Sequence, residues 1–298
     1  MAAANYIGRF APSPTGALHF GSLLAALASY LDARAHNGQW LLRIEDLDPA
    51  REQPGIKADF ARVLDAFGFE WDGPISYQSD RLTLYTSALH QLHEQHRTYP
   101  CSCSRKEIQQ RTGTHQYDGH CFNQLPKANR KLATRLHCTS GALCFHDRIQ
   151  GTRCHDLQQE SGDFILRRRD GLIAYQLAVV VDDYLQGITH VVRGCDLLNE
   201  TPRQIQLQNY LDYPSPCYAH IPVATNPMGQ KLSKQTGATA LDITQPSQQL
   251  FRALQQLHQS PPEELQRADV NTLISWAIQN WQCHNIPATE KKTAPLPE

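Results

Sequence analysis

Two segments of the chain carry residue types that suit a nucleotide triphosphate. The first, Arg9–Gly16, is a Pro-rich turn that leads to His19 and Gly21 at the start of a predicted helix. A helix N-terminus at the carboxyl end of a parallel strand offers free N–H groups and a positive dipole end to phosphates. Gly21 lacks a side chain, so a flat nucleotide could lie against the helix there. On its own, this pattern also fits a Pro-rich loop with a surface histidine.

The second segment is the loop Lys231–Gln235, which follows a glycine at position 229. Lys231 and Lys234 are three residues apart, so both could reach one triphosphate as mobile point charges. Surface loops often hold two lysines, and only the combination with the first segment favours a nucleotide site.

A third group of residues has the spacing of a small structural zinc site. Cys101 and Cys103 share one short turn, and Cys121 follows 18 residues after Cys103. Two close thiolates and a second cluster of ligands further along the chain are typical of zinc modules. Three residues near Cys121 are candidates for the fourth ligand, and chemistry alone favours a histidine: His115, Tyr117 and His120. The other six cysteines show no metal spacing and are predicted to be small buried apolar residues: 138, 144, 154, 195, 217 and 283.

A parallel α/β fold is predicted to position these residues. A strand at 6–10, a helix from about 19, a strand at 40–44 and a helix at 56–67 follow one another with short links, which is the βαβ pattern. From residue 99 the helical periodicity weakens, and α/β character resumes near residue 172. We therefore predict a Rossmann-like parallel sheet split by a zinc-bearing insertion, with a small helical appendage at the C-terminal end. The four segments are 1–98 (first half of the catalytic domain), 99–171 (insertion), 172–245 (second half) and 246–298 (appendage, with a frayed tail from 285).

Composition argues against a membrane or exported protein and leaves polyanion binding possible. The 298 residues carry a net charge of −1, but residues 97–169 hold 13 basic and 6 acidic side chains, a local balance of +7. Such a basic region could bind a polyanion, although a solvated basic surface has the same composition. No apolar run approaches the roughly 20 residues of a membrane span, and no export signal precedes the first strand. We expect a cytoplasmic protein without a disulfide framework.

Taken together, these motifs resemble those of class I aminoacyl-tRNA synthetases. The segment 19–22, His-Phe-Gly-Ser, stands in the place of their "HIGH" motif, and Lys231–Gln235 in the place of their "KMSKS" loop. The spelling of Arg9–Gly16 is similar to the glutamyl branch, and further matches lie at 42–48, 77–79 and 192–198. Ser22 and Gln235 depart from the family pattern, whereas His19 and both lysines keep it.

The resemblance implies a role for each of these residues in the formation of glutamyl-adenylate from L-glutamate and ATP with Mg²⁺. It implies that His19, Lys231 and Lys234 are the catalytic residues, whose positive charges stabilise the phosphoryl oxygens. The ATP site would add Gly21, Ser22 and Ser233. For L-glutamate, it implies that Glu45 holds the α-amino group, that Arg9 and Arg193 face the side-chain carboxylate, and that Ala11, Ser13 and Tyr175 complete the pocket. The Tyr-x-x-x-Cys motif at 117–121 resembles that of a paralogue of this branch, which implies one structural Zn²⁺ bound by Cys101, Cys103, Tyr117 and Cys121.

The length favours one member of the family. Only 63 residues follow Gln235, which we expect to be too few for an anticodon-binding domain. The sequence therefore resembles the stand-alone glutamyl-Q tRNA(Asp) synthetases. This implies glutamate activation without tRNA and transfer to the queuosine base at the wobble position of tRNA(Asp), by a monomer whose basic insertion holds the anticodon stem-loop. The candidate contacts are Arg130, Lys131 and Arg135. Two alternatives are a shortened glutamyl-tRNA synthetase that charges a tRNA 3′ end and a catalytically silent tRNA-binding paralogue.

Overall fold

A computed structural model describes residues 5–226, 228–232 and 239–294. Ser233, Lys234 and Gln235 of the lysine loop lie outside these residues. The helices are α1 (Phe20–Ala35), α2 (Ile56–Ala66), α3 (Leu82–Glu94), α4 (Arg105–Thr112), α5 (His120–Asn123), α6 (Leu157–Glu160), α7 (Tyr175–Leu185), α8 (Thr201–Leu211), α9 (Pro246–Gln256) and α10 (Val270–Asn280). The strands are β1 (Ile7–Phe10), β2 (Gln39–Ile44), β3 (Ser76–Tyr77), β4 (Thr98–Cys101), β5 (Ala133–Leu136), β6 (Leu143–Asp147), β7 (Gly151–His155), β8 (Ile165–Arg167), β9 (His190–Gly194), β10 (Cys217–Ile221), β11 (Val223–Thr225) and β12 (Lys291–Thr293).

The main sheet is parallel, as the βαβ pattern predicts. Strands β1, β2 and β3 pair in parallel, and so do β9, β10 and β6. The two groups meet where the Thr189 N–H donates to the carbonyl oxygen of Ile7 at 3.0 Å, which brings the start of β9 beside β1. The carboxyl ends of β1, β2 and β9 therefore open on one side of the sheet, where ligands of parallel α/β proteins bind.

Helix α1 covers this sheet with an apolar face that is almost entirely buried. Leu23, Leu27 and Leu31, at helical spacing, have at most 1% of their surface exposed. The helix ends at Ala35 because Asn37 takes a positive φ of 53° and the Gly38 N–H bonds back to the carbonyl oxygen of Ala33. Helices α9 and α10 pack on α1, and their side chains belong to the same buried cluster. The two predicted C-terminal helices are thus part of the main core.

The chain after α10 is ordered, so the prediction that the tail frays from residue 285 is wrong up to residue 294. Ile286 and Ala294 are buried, and β12 pairs in parallel with β11 through the register Val223 to Lys291 and Thr225 to Thr293. The tail is held because β11 offers a free ladder edge next to the core, which composition alone does not reveal.

The segment 99–171 divides between two sheets. Strands β4, β5 and β8 form a small antiparallel sheet, whereas the hairpin β6–β7 joins the parallel sheet at β10. Cys144 and Cys154 face each other in this hairpin and form a disulfide. The prediction that these two cysteines are buried free thiols is therefore wrong. Cys217, predicted to be buried, is exposed.

None of the helices in the described part of the chain has the length and apolar character needed to cross a bilayer.

Candidate active site

A cavity of about 960 Å³ opens at the carboxyl ends of β1, β2 and β9. Its wall includes every predicted glutamate and ATP residue that the structure describes: Arg9, Ala11, Ser13, His19, Gly21, Ser22, Glu45, Tyr175, Arg193 and Lys231. These residues are up to 222 positions apart in the chain. The fold brings them together because strand ends and helix starts converge at this edge of the sheet.

His19 caps helix α1 and lines the cavity. Its Nδ1 accepts the Ser22 N–H at 3.3 Å, and the Ser22 hydroxyl oxygen accepts the His19 N–H at 3.4 Å. This reciprocal pair is a capping box, so the serine that departs from the family motif has a structural role. A Cβ on Gly21 would lie 3.1 Å from Cε1 of His19. Glycine at this position therefore leaves room for the imidazole as well as for a ligand.

Lys231 lies at the rim of the cavity, where its Nζ is 2.6 Å from Oδ2 of Asp196. Both side chains are well exposed, and exposed ion pairs contribute about 1 kcal/mol or less. A triphosphate with several negative charges could therefore draw Lys231 away from Asp196 at small cost.

The part of the cavity next to Arg9 and Glu45 is built on a buried network of charges. Arg9 makes two contacts with Asp183, at 3.1 and 3.2 Å, and Nη2 of Arg43 lies 2.8 Å from the same carboxylate. Burial raises the pKa of Asp183, and the two guanidinium groups more than offset this, so that the pKa lies below its usual value. Asp183 is thus held ionised and fixes the orientation of Arg9.

Glu45 follows β2, and its side chain is 7% exposed. Its closest described cation is Arg43, whose Nη2 lies 3.4 Å from Oε1, a long contact. Burial raises the pKa of Glu45 to about 7, although the charges of Arg43 and Arg9 act in the opposite direction. A desolvated carboxylate without a short ion pair is suited to bind a cationic group of a ligand.

Arg193 lines the cavity, and two of its three guanidinium nitrogens are bonded to the protein. Nε donates to Nε2 of His220 at 2.9 Å, and Nη2 donates to the Thr201 hydroxyl oxygen at 2.9 Å. Nη1 is buried and has no hydrogen-bond partner among the described residues. A buried donor of this kind is destabilising unless an acceptor reaches it, so Nη1 points to an anionic ligand group.

The three cysteines predicted to bind metal come together in the small antiparallel sheet and its loop. Their Sγ atoms all lie within 4.8 Å of one another, and those of Cys103 and Cys121 are 3.5 Å apart. Tetrahedral zinc with bonds of about 2.3 Å requires sulfur atoms about 3.8 Å apart, so this spacing fits the ion. The Tyr117 hydroxyl lies 3.4 Å from Sγ of Cys101. Neither His115 nor His120 belongs to the metal-capable group within the described chain.

Arg135 does not face solvent, which contradicts its prediction as a contact to RNA. It is buried, its Nε lies 3.2 Å from Sγ of Cys101, and its guanidinium stacks 3.7 Å from the ring centre of Tyr117. Because a cation stabilises thiolates, Arg135 supports the cysteine cluster. Of the three predicted RNA contacts, Arg130 pairs with Glu107 at 2.9 Å and Lys131 is exposed.

The sequence analysis did not identify Asp183, Arg43 and His220. These residues hydrogen-bond to the arginines and the carboxylate that line the cavity or support its wall. A signal for Asp183 exists, since two adjacent aspartates end the apolar run at 177–181. Acidic residues within a buried helix require cationic partners, and the arginines of β1 and β2 supply them. His220 lies in an ordinary apolar strand, and nothing in its spacing marks it.

Comparison with known proteins agrees with this geometry. The family described as "tRNA synthetases class I (E and Q), catalytic domain" matches residues 7–280. A glutamyl-Q tRNA(Asp) synthetase of Dechloromonas aromatica is 52% identical over 95% of this chain and 96% of its own. This chain belongs to the glutamyl-Q tRNA(Asp) synthetase family. It is therefore a ligase of the class I tRNA synthetase type.

Other relatives in the glutamyl-Q tRNA(Asp) synthetase family cover the whole chain. The protein of that name from Thiobacillus denitrificans is 49% identical over 100% of both chains. Among solved structures, a glutamate tRNA ligase from Elizabethkingia meningosepticum, in complex with its amino acid, has a TM-score of 0.83 at 23% identity. The match covers 98% of this chain and 67% of that ligase. At this identity the likeness shows the shared fold alone.

Proposed function

We propose that this chain activates L-glutamate with ATP in the absence of tRNA and then transfers the glutamyl group to the queuosine base at the wobble position of tRNA(Asp). The observation that carries the activation step is that one cavity is lined both by the desolvated carboxylate of Glu45 and by Arg193, whose Nη1 has no partner among the described residues. Glutamate has one ammonium and two carboxylates, which complement these groups. The acceptor is proposed from the names of relatives that are about 50% identical over nearly the full length.

In this proposal, different residues bind the side-chain carboxylate and the α-ammonium group of glutamate. Arg193 binds the side-chain carboxylate through Nη1, because a guanidinium matches a carboxylate in geometry and charge. Arg9 adds positive charge beside it, although two of its nitrogens are already bonded to Asp183. Glu45 accepts the α-ammonium, and that cation favours the ionised form of a group whose pKa is near 7. Ala11, Ser13 and Tyr175 complete the wall.

The first chemical step forms a mixed anhydride. An oxygen of the glutamate α-carboxylate attacks the α-phosphorus of ATP, the new C–O–P linkage forms, and pyrophosphate departs with its electron pair. Negative charge grows on the phosphoryl oxygens, so positioning and electrostatic stabilisation dominate catalysis. His19, at the N-terminus of α1, and Lys231 would supply this stabilisation, as would Lys234 and Ser233 in the loop. Mg²⁺ bound with ATP would neutralise charge on the pyrophosphate.

The second step transfers the glutamyl group. A hydroxyl oxygen of the queuosine base attacks the carbonyl carbon, a C–O ester bond forms, and AMP leaves as the bond from that carbon to the phosphate oxygen breaks. The hydroxyl proton passes to a phosphate oxygen or to solvent. We propose that the anticodon stem-loop of tRNA(Asp) lies on the basic segment 97–169 of a monomer. Exposed cations such as Lys106 and Lys131 would contact its phosphates.

We also propose one structural Zn²⁺ held by Cys101, Cys103, Tyr117 and Cys121. The sulfur spacing and the Tyr117 hydroxyl support this set. Burial raises the pKa of Cys121, but hydrogen bonds from the Ser102 backbone and the Tyr117 hydroxyl bring it down to about 7, near the range in which a thiol becomes a ligand. When bound, the ion would fix the loop that carries these residues and would take no part in the transfer.

The test separates the two steps. Glutamate-dependent exchange of pyrophosphate into ATP is measured without tRNA, and transfer of labelled glutamate is then measured to tRNA(Asp) with and without queuosine. We expect exchange without tRNA and transfer only to the queuosine-bearing tRNA. Absence of exchange would favour a silent tRNA-binding protein. Exchange followed by transfer that ignores queuosine would favour a shortened glutamyl-tRNA synthetase.

A further inference from the structure

A buried chain of polar residues connects three strands and a helix behind Arg193. Asp147 ends β6, His220 lies in β10, Arg193 lies in β9, and Thr201 begins α8. All four are at most 5% exposed. Buried polar groups of this kind are destabilising unless each is hydrogen-bonded, so a connected buried network calls for an explanation.

Hydrogen bonding determines which nitrogen of His220 carries the proton. The Asp147 Oδ1 atom accepts the backbone N–H groups of Ile149, Gln150 and His220, at 3.0, 2.8 and 3.1 Å. Its Oδ2 atom lies 2.6 Å from Nδ1 of His220, and an ionised carboxylate can only accept. Nδ1 is therefore the donor, and Nε2 keeps a lone pair that faces the Nε–H of Arg193 at 2.9 Å.

The remaining contacts of His220 also require a neutral ring. A proton on Nε2 would face the guanidinium of Arg193 and the Thr201 hydroxyl, which is 3.2 Å away. Burial lowers the pKa of His220 to about 4, and the charge of Arg193 acts in the same direction, while Asp147 and Asp196 oppose it. The ring of Tyr218 lies nearly parallel to that of His220 and brings no charge to it at neutral pH.

We infer that His220, oriented by Asp147, is a positioning residue that selects glutamate. Together with Thr201, it holds the Nε and Nη2 atoms of Arg193, so that Nη1, which has no partner among the described residues, is kept for the side-chain carboxylate of the substrate. Asp147, His220 and Thr201 together fix the orientation of the Arg193 guanidinium. This inference rests on the proposed function, because it assigns the carboxylate of glutamate to Arg193.

The guanidinium of Arg193 needs such partners because it could otherwise rotate. A guanidinium has five N–H donors and rotates freely in water, so an unfixed Arg193 could turn toward Asp196 or into solvent. With Nε and Nη2 bonded at 2.9 Å each, rotation would break two buried hydrogen bonds. A displacement of about 1 Å in such a group can lower activity by as much as a hundredfold.

The experiment compares His220→Leu, His220→Gln and Thr201→Val in glutamate-dependent ATP–pyrophosphate exchange. Leucine keeps the apolar volume but removes both ring nitrogens, glutamine can still accept from Nε, and valine removes only the contact to Nη2. We expect His220→Leu to raise the KM for glutamate at least roughly tenfold while the KM for ATP stays within twofold. Thr201→Val should raise the KM for glutamate less, and His220→Gln should recover most of the loss.

Each result decides between positioning and a purely structural role. An unchanged KM for glutamate in His220→Leu, or equal losses for glutamate and ATP, would overturn the inference. If His220→Leu does not fold, as judged by circular dichroism, Thr201→Val alone decides, since it changes a single methyl-sized group. The proposed function fails separately: if the unaltered protein shows no glutamate-dependent exchange, the assignment of glutamate is wrong before any variant is compared.

Discussion

Replacing Glu45 by glutamine should weaken glutamate binding and at the same time stabilise the protein. The substitution keeps the shape of the side chain and removes its charge. In the proposed complex, Glu45 is the partner of the α-ammonium, so Glu45→Gln should raise the KM for glutamate in pyrophosphate exchange by roughly a hundredfold, the loss expected for a buried charge-assisted contact of about 3 kcal/mol. The unliganded protein should respond in the opposite direction.

The gain in stability follows from the pKa of Glu45, which burial raises from 4.5 to about 7. Because the folded state holds this proton more tightly than the unfolded state, the free energy of unfolding falls as pH rises from about 4.5 to about 7. Each pKa unit corresponds to about 1.4 kcal/mol, so the ionised carboxylate costs about 3 kcal/mol at pH 8. The glutamine variant avoids this cost. Its advantage should be about 3 kcal/mol at pH 8, about 1 kcal/mol at pH 5.5 and close to zero at pH 4.

Urea denaturation at these three pH values, followed by tryptophan fluorescence, measures the difference directly. The matched control is Glu70→Gln, which neutralises an exposed glutamate and should change the free energy of unfolding by less than about 0.5 kcal/mol at every pH. An advantage of Glu45→Gln that does not grow with pH would refute the desolvated carboxylate. An unchanged KM for glutamate would refute its role as ammonium partner.

Three further predictions address other parts of the molecule. Asp183→Asn should lower the free energy of unfolding by about 3 kcal/mol or more in urea titrations, because it leaves Arg9 and Arg43 buried without their common anion. Purified protein should contain about one zinc per chain by atomic emission; Tyr117→Phe should lose the metal at lower chelator concentration, whereas His120→Ala should match the unaltered protein. Lys131→Glu should weaken glutamyl transfer to tRNA and lower the slope of log affinity against log salt by about one, with pyrophosphate exchange unchanged; an effect on exchange would place Lys131 in another role.

The sequence predicts the outline of the cavity because its residues stand in motifs next to recognisable strand ends. The turn at 9–16 and the histidine at the start of α1 lie where a βαβ unit requires them, and the predicted start of α1 and both predicted ends of α2 agree with the structure to within one residue. Local periodicity and capping residues determine these elements, so they can be read without a partner segment.

Contacts between distant segments could not be predicted in the same way. Arg135 has the appearance of a solvent-facing cation, yet its neighbours across the antiparallel sheet are a cysteine and a tyrosine. Cys144 and Cys154 face each other only because the turn at 148–150 sets the register of the β6–β7 hairpin. The anchoring of Arg193 by His220 depends on β9 and β10 being adjacent, which is a property of the sheet order.

The pairing of β12 with β11 has a consequence for synthesis of the protein. Strand β11 leads directly into the lysine loop, Thr225 forms a bridge with Lys231, and the Ala294 N–H donates to the carbonyl oxygen of Thr225. On the ribosome, β1, α1 and β2 emerge early and can begin to assemble, but β11 must wait for residues 291–294 to leave the exit tunnel. Strand β11 therefore gains its neighbouring strand only after the rest of the cavity has been synthesised.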